Sequence, residues 1–174
     1  MVVSAGCGDP TEGKPTASGT TAVTTAPSKS ADADAGLWDP CSLPDSALSA
    51  SGLDPSTKEK DVAGVDFEGW KVCDWRSTAQ WYNLSIFSGT PTLQDVRKRP
   101  DYEAFAPLTV GTRQAVQYLS VNDKKRLNCY VAVELLRGTA IFKAQTNYSI
   151  GKQGDPCAEA RRHTDELAKY LPGS

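Results

Sequence analysis

Only one histidine, His163, occurs among the 174 residues, and that scarcity removes most histidine-dependent mechanisms at once. The sequence has no H-E-x-x-H, no G-x-S-x-G and no His/Cys cluster at metal-ligand spacing, so zinc hydrolysis and the nucleophile elbow lack their residues. It also has no C-x-x-C pair, which argues against a zinc site or thioredoxin-type exchange. No apolar run approaches the roughly 18–20 residues that cross a bilayer as a helix. Neither sign of charge dominates: 19 Lys and Arg against 21 Asp and Glu give a formal net charge of -2, which offers no general attraction to nucleic acid. One apparent motif, Gly8 to Lys14, matches G-x-x-x-x-G-K. Pro15 stands where the metal-binding Ser or Thr belongs, and no strand precedes it, so the match is chance.

What is present begins with five cysteines. Cys7 stands alone near the start, and Cys41, Cys73, Cys129 and Cys157 are spread through the part that carries folding signals. Widely spaced cysteines of even number suit structural bridges in an exported protein. Of the three possible pairings, Cys41–Cys73 and Cys129–Cys157 close the shorter loops, and each joins a helix start to a strand. The run Ser4-Ala5-Gly6-Cys7 resembles a bacterial lipobox, with Ser4 where Leu is usual. Only six residues precede Cys7, too few for a charged and an apolar signal region, so the upstream part of a signal peptide reads as missing. From Gly8 to Gly36 nearly every residue is Gly, Pro, Thr, Ser, Ala, Asp or Lys. Such a segment cannot bury enough apolar surface to offset its ordering entropy. The expected organisation is therefore a lipid-attachment head at 1–7, a disordered tether at 8–36 reaching roughly 30 Å, and one domain at 37–174. A chance cysteine followed by a tail with no role would give the same composition.

Within the domain, early prolines and Leu43, Ala47 and Leu48 on one face predict a short helix stopped near Gly52. Trp70 to Arg76 and Trp81 to Phe87 read as a hairpin, with Tyr82, Leu84 and Ile86 alternating against Trp81, Asn83 and Ser85. Thr92-Leu93-Gln94-Asp95 resembles a capping box for a short helix. Arg113 to Ser120, Leu127 to Leu136 and Thr139 to Thr146 read as three further strands. Asp155-Pro156 opens a terminal helix whose Cys157, Ala160, Thr164, Leu167 and Leu171 recur at steps of three and four. That spacing puts His163 on the exposed side. The fold class is α+β: an antiparallel sheet of about five to six strands covered by N- and C-terminal helices.

Asp39-Pro40-Cys41-Ser42-Leu43, Cys73-Asp74-Trp75, the strand cysteine Cys129 and the closing Asp155-Pro156-Cys157 together resemble a family of actinobacterial lipoproteins catalogued as domain of unknown function 3558. The resemblance covers roughly Trp38 to Pro172 plus the head. It implies an exported, lipid-anchored protein on the extracytoplasmic face of the cell membrane, with a fold similar to the PsbP/Mog1-like α/β/α sandwiches. It carries no catalytic residues.

Chemistry is sparse elsewhere. Asp54, Asp61, Asp66 and Glu68 share one loop without EF-hand register and read as solvated. Lys124-Lys125-Arg126 is a basic turn to which no function is assigned. The hairpin aromatics Trp70, Trp75, Trp81, Tyr82 and Phe87 fill a core or line a cleft. Alternation puts Trp81 and Phe87 opposite Tyr82, Leu84 and Ile86, so these two are the candidate ligand or partner face. The expected function is a non-catalytic binding or interaction module working on an envelope partner or ligand, with no cofactor, metal or nucleic acid. The alternative is a carrier or sensor of a small apolar ligand held between sheet and terminal helix, with an unrecognised envelope hydrolase a more distant third.

Overall fold

The computed structural model describes residues 36–61, 64–65 and 67–173. The head at 1–7, with Cys7, and the expected tether apart from Gly36 lie outside the described residues. One antiparallel sheet of seven strands runs in the order β1-β2-β3-β7-β6-β5-β4. Its strands are β1 (Glu59–Lys60), β2 (Trp70–Arg76), β3 (Tyr82–Gly89), β4 (Tyr102–Val110), β5 (Arg113–Ser120), β6 (Asn128–Glu134) and β7 (Thr139–Thr146). Among the described residues three α-helices accompany them: α1 (Asp45–Ala50), α2 (Leu93–Arg97) and α3 (Pro156–Leu167).

The sheet exceeds the expected five to six strands through β1, two residues long, and β4, which carries a weak sequence signal. Edge strand β4 leaves Ala104 in the left-handed region (φ 55°), breaks register between Glu103 and Ala106, and contains Pro107. A bulge and a proline are ordinary edge devices, and they erase the alternation by which a strand is recognised.

Helices α1 and α3 cover one face. Leu43, Ala47 and Leu48 from the first segment, and Ala160, Leu167 and Leu171 from the last, pack on Cys73, Trp75, Leu84, Ile86, Val131 and Phe142. Asp39 accepts the Cys41 N–H and opens a single 3-10 turn, and Asp155 accepts the Cys157 N–H at the start of α3. Each turn so fixed presents a cysteine to the sheet. Cys41 is bonded to Cys73 on β2 and Cys129 on β6 to Cys157, with Cα separations of 5.2 and 4.9 Å. Both elements at the ends of the domain are thereby stapled to the same face.

His163 also faces this core and is fully buried, contrary to its expected exposure. The apolar stripe of a helix on a sheet is wide enough to take two adjacent positions. His163 lies three residues after Ala160 and four before Leu167, so it shares the stripe with Thr164. Trp81 is likewise buried, at 6% exposure, where a solvent-facing position was expected. Gln80 has a left-handed backbone (φ 65°) and β3 begins only at Tyr82, so Trp81 belongs to the turn and strand alternation does not govern it.

A candidate ligand cleft on the open sheet face

The second face carries a smaller apolar cluster. Leu93 and Val96 of α2 pack there on Val116, Tyr118, Ala132 and Ile141. The helix starts where it does because Thr92 and Asp95 form a reciprocal capping box. With only five residues, α2 covers one end of the face and leaves the rest open.

Strand register orders what remains. Asp74, Ser85, Lys143, Tyr130 and Tyr118 lie abreast on β2, β3, β7, β6 and β5, and Val72, Phe87, Ile141, Ala132 and Val116 form the neighbouring row. On the other side of the first row come Arg76, Asn83, Gln145 and Asn128. The face therefore grades from polar to aromatic to apolar as it approaches α2.

At the aromatic centre is a cleft of about 230 Å³, lined by Phe67, Trp70, Val72, Phe87, Arg99, Tyr102, Tyr118, Tyr130 and Ile141. A lobe of about 150 Å³ shares Trp70, Arg99, Tyr102, Tyr118 and Ile141 and runs under α2 to Val96. Tyr118 and Tyr130 stack with centroids 5.1 Å apart and planes 11° apart. Trp70 meets Phe87 edge-on at 6.4 Å. Trp70 sits low because its register partner is Gly89, where a Cβ would lie inside contact distance of the indole.

Charge inside the cleft is already balanced. Arg99 forks onto Asp101 with bonds of 2.9 and 2.7 Å, and its guanidinium lies 4.9 Å from the Tyr102 ring centroid. Beyond Tyr130, the Ser85 hydroxyl donates to Asp74 and the Lys143 ammonium to Gln145. Burial raises the Asp74 carboxyl above its ordinary value and lowers the Lys143 ammonium below its own. Although Ser85 and Lys143 lie abreast, their polar atoms are turned to separate partners and do not form a nucleophile and base.

One lining group is unserved. The Tyr118 hydroxyl is fully buried and has no hydrogen-bond partner among the described residues. Burial pushes its ionisation well above the ordinary phenol range, so it stands as a neutral O–H donor. An unpaired buried group of this kind costs about 1–3 kcal/mol. The cleft thus offers ring contacts, and the Tyr118 hydroxyl lies beneath them, closed to solvent.

Of the two ring positions singled out in the sequence, Phe87 lines this cleft, whereas Trp81 packs in the opposite core against Tyr82 at 4.7 Å. The space between sheet and terminal helix, where a ligand cavity was the alternative expectation, is occupied by side chains. Arg99, Tyr102, Tyr118 and Tyr130 were not singled out for the site, and Trp70 was named only among the hairpin aromatics that fill a core or line a cleft. Alternation around Cys129, Val131 and Val133 places Tyr130 on the far face, so that much could be read from sequence; Tyr102 lies on the strand whose signal is weak. Asp54, one of the loop acids, accepts the Ser56 N–H and caps a 3-10 turn. Arg126 of the basic turn pairs with Glu103 at 3.1 Å. No helix among the described residues is long and apolar enough to cross a membrane.

Neither the curated proteins nor the solved structures include a match to this chain. Residues 2–170 match the family described as Protein of unknown function (DUF3558), and the chain belongs to that family.

Proposed function

We propose that the domain is a non-catalytic binding module, anchored through a lipid on Cys7 to the extracytoplasmic face of the cell membrane, and that the open sheet face is its binding surface. The observation that carries this reading is the aromatic cleft left open beside the short helix α2. Concave, mostly apolar sites with one or two placed polar groups are the usual form of small-molecule sites. The small residues before Cys7, the Thr/Pro-rich stretch after it and the two disulfides support export and anchoring.

Between an envelope protein and a small ligand as the natural partner, the dimensions of the cleft favour the ligand. The test is mass spectrometry of molecules that co-purify with the full chain expressed in its own membrane, compared with a Phe87→Ala variant. A bound compound depleted in the variant is the expected result. Equal recovery of every compound from both proteins would remove the open face as the binding surface.

A further inference from the structure

We propose that the end of the sheet where the chain enters the domain docks on the lipid bilayer, with Leu136 and Phe67 set among the headgroups. The proposal rests on the reading that Cys7 carries a lipid, and it adds an orientation to that anchor.

Three close approaches define this end. A Cβ on Gly36, the first described residue, would lie 3.1 Å from Nη1 of Arg137 in the turn between β6 and β7. Gly138 of the same turn packs so closely on the Gly89 carbonyl that no Cβ fits between them. A Cβ on Gly69 would lie 4.0 Å from the Thr90 hydroxyl, and the Trp70 N–H donates to the Phe67 carbonyl. The chain entry, the β6–β7 turn, the end of β3 and the loop leading into β2 are therefore neighbours.

Apolar surface gathers here. Of the five large hydrophobic side chains well exposed among the described residues, Val65, Phe67 and Leu136 belong to this end. Single exposed apolar residues are ordinary, but a group of them marks a contact surface. Leu136 is 90% exposed at the tip of a turn closed by the Leu135 N–H on the Gly138 carbonyl, so the fold makes almost no use of its side chain. Arg137 beside it is exposed and makes no ion pair with a described carboxylate, which leaves its guanidinium for headgroup phosphate. Glu68 and Glu134 are exposed at the same end, so apolar contact rather than net charge carries the docking.

The opposite end competes with Tyr148 and Ile150, which follow β7 beside the Lys124-Lys125 turn. The eight residues of β7 separate the two ends by about 26 Å. Seating the far end on lipid would lift Gly36 by that distance, most of the reach of roughly 30 Å that composition gives residues 8–36. Seating the near end uses none of it. The anchor also keeps this end close to lipid, so a patch too weak to hold a membrane by itself is enough.

The test uses the full chain, lipidated at Cys7, in vesicles of equal parts phosphatidylcholine and phosphatidylglycerol with brominated acyl chains. A fluorophore is placed on Thr112→Cys, in the β4–β5 turn that Arg113 ties to the Glu134 carbonyl, or on Ser149→Cys at the far end. The label adds the same bulk at both positions, so the protein's own surface decides between them. Bromine should quench the Thr112→Cys label at least about threefold more than the Ser149→Cys label, and Leu136→Asp should abolish the difference. Leu136 does not line the cleft, so this loss is independent of ligand binding there. Stronger quenching at Ser149→Cys, or quenching at Thr112→Cys that survives Leu136→Asp, overturns the proposal. If the protein floats with the vesicles and neither label is quenched, the docking is wrong while the anchor stands. If the protein does not float, anchor and docking fall together.

Discussion

The Tyr82 hydroxyl lies 2.8 Å from Nε2 of His163, buried between β3 and α3. The same oxygen donates to Glu159 at 2.9 Å and accepts from Arg162 at 3.0 Å. His163 Nδ1 has no partner among the described residues. Burial, with the Arg162 charge beside it, holds His163 down to about 3 from an ordinary 6.5, so the folded domain keeps the imidazole neutral. The unfolded chain takes up a proton below about pH 6.5. Stability from this group is therefore complete above that value and declines as pH falls toward 3. Between pH 7 and pH 4 the loss is about 3 kcal/mol at 1.36 kcal/mol per pH unit. Urea unfolding across this range should show that loss in the parent, and His163→Gln should reduce it although its stability at pH 7 is lower. An unchanged acid dependence in the variant would assign the effect to other groups.

Two tyrosines on opposite faces should respond in opposite ways to loss of the hydroxyl. At Tyr82 it serves Glu159, His163 and Arg162, so Tyr82→Phe should cost about 1–3 kcal/mol, chiefly by taking the hydroxyl from the buried His163, since Glu159 and Arg162 still pair with each other. At Tyr118 it serves no described residue, so Tyr118→Phe should be neutral or slightly stabilising. Thermal unfolding of both variants checks the contrast. A Tyr118→Phe protein as destabilised as Tyr82→Phe would mean that the Tyr118 hydroxyl has a structural partner.

Removing the Cys41–Cys73 bond with paired serines should cost about 3–4 kcal/mol on the loop-entropy account, or roughly 10 °C in Tm for a domain of this size. The bond closes a sequence separation of 32 residues and fixes the first turn of the domain to β2. Differential scanning calorimetry of the double variant decides the matter, with a fall of under about 3 °C as the contrary result.

Cys7→Ala in the native precursor should abolish partition into the detergent phase. Two acyl chains give stable anchoring where one does not, and a diacylglyceryl cysteine supplies two. Unchanged partition would dissociate the domain from a lipid at this position.

The stapled face was legible because its signals are local. Asp-Pro-Cys marks a helix start twice, and every second residue from Cys129 to Val133 is apolar. His163 was misplaced because step-counting had already given its neighbour Thr164 to the apolar stripe, although a helix on a sheet buries both. The cleft was only half legible. Each strand contributes one or two residues to it, so no segment carries a motif. Tyr102 comes from a strand interrupted by a bulge and Pro107. The openness of the cleft beside Trp70 and Phe87 depends on how short α2 is, which the capping box starts but does not measure.

Trp81 provides the sharpest separation between packing and binding. Its ring sits in the main core beside Tyr82, and a Cβ at Gly154 would come within 2.7 Å of it. The connection before α3 thus closes over the indole, and the Trp81 carbonyl accepts the Asn147 N–H at 2.7 Å. Trp81→Ala should cost about 3–5 kcal/mol through the cavity it leaves. Gly154→Ala should cost less, since the connection outside α3 can shift to relieve the contact. Phe87 is only partly buried on the open face, so Phe87→Ala should cost well under the Trp81 value while weakening whatever occupies the cleft. Chemical unfolding of the three variants, set beside mass spectrometry of the molecules that co-purify with each, gives both readouts. If Phe87→Ala proved as destabilising as Trp81→Ala with co-purifying molecules undiminished, the open-face aromatics would be core in function as well as in chemistry.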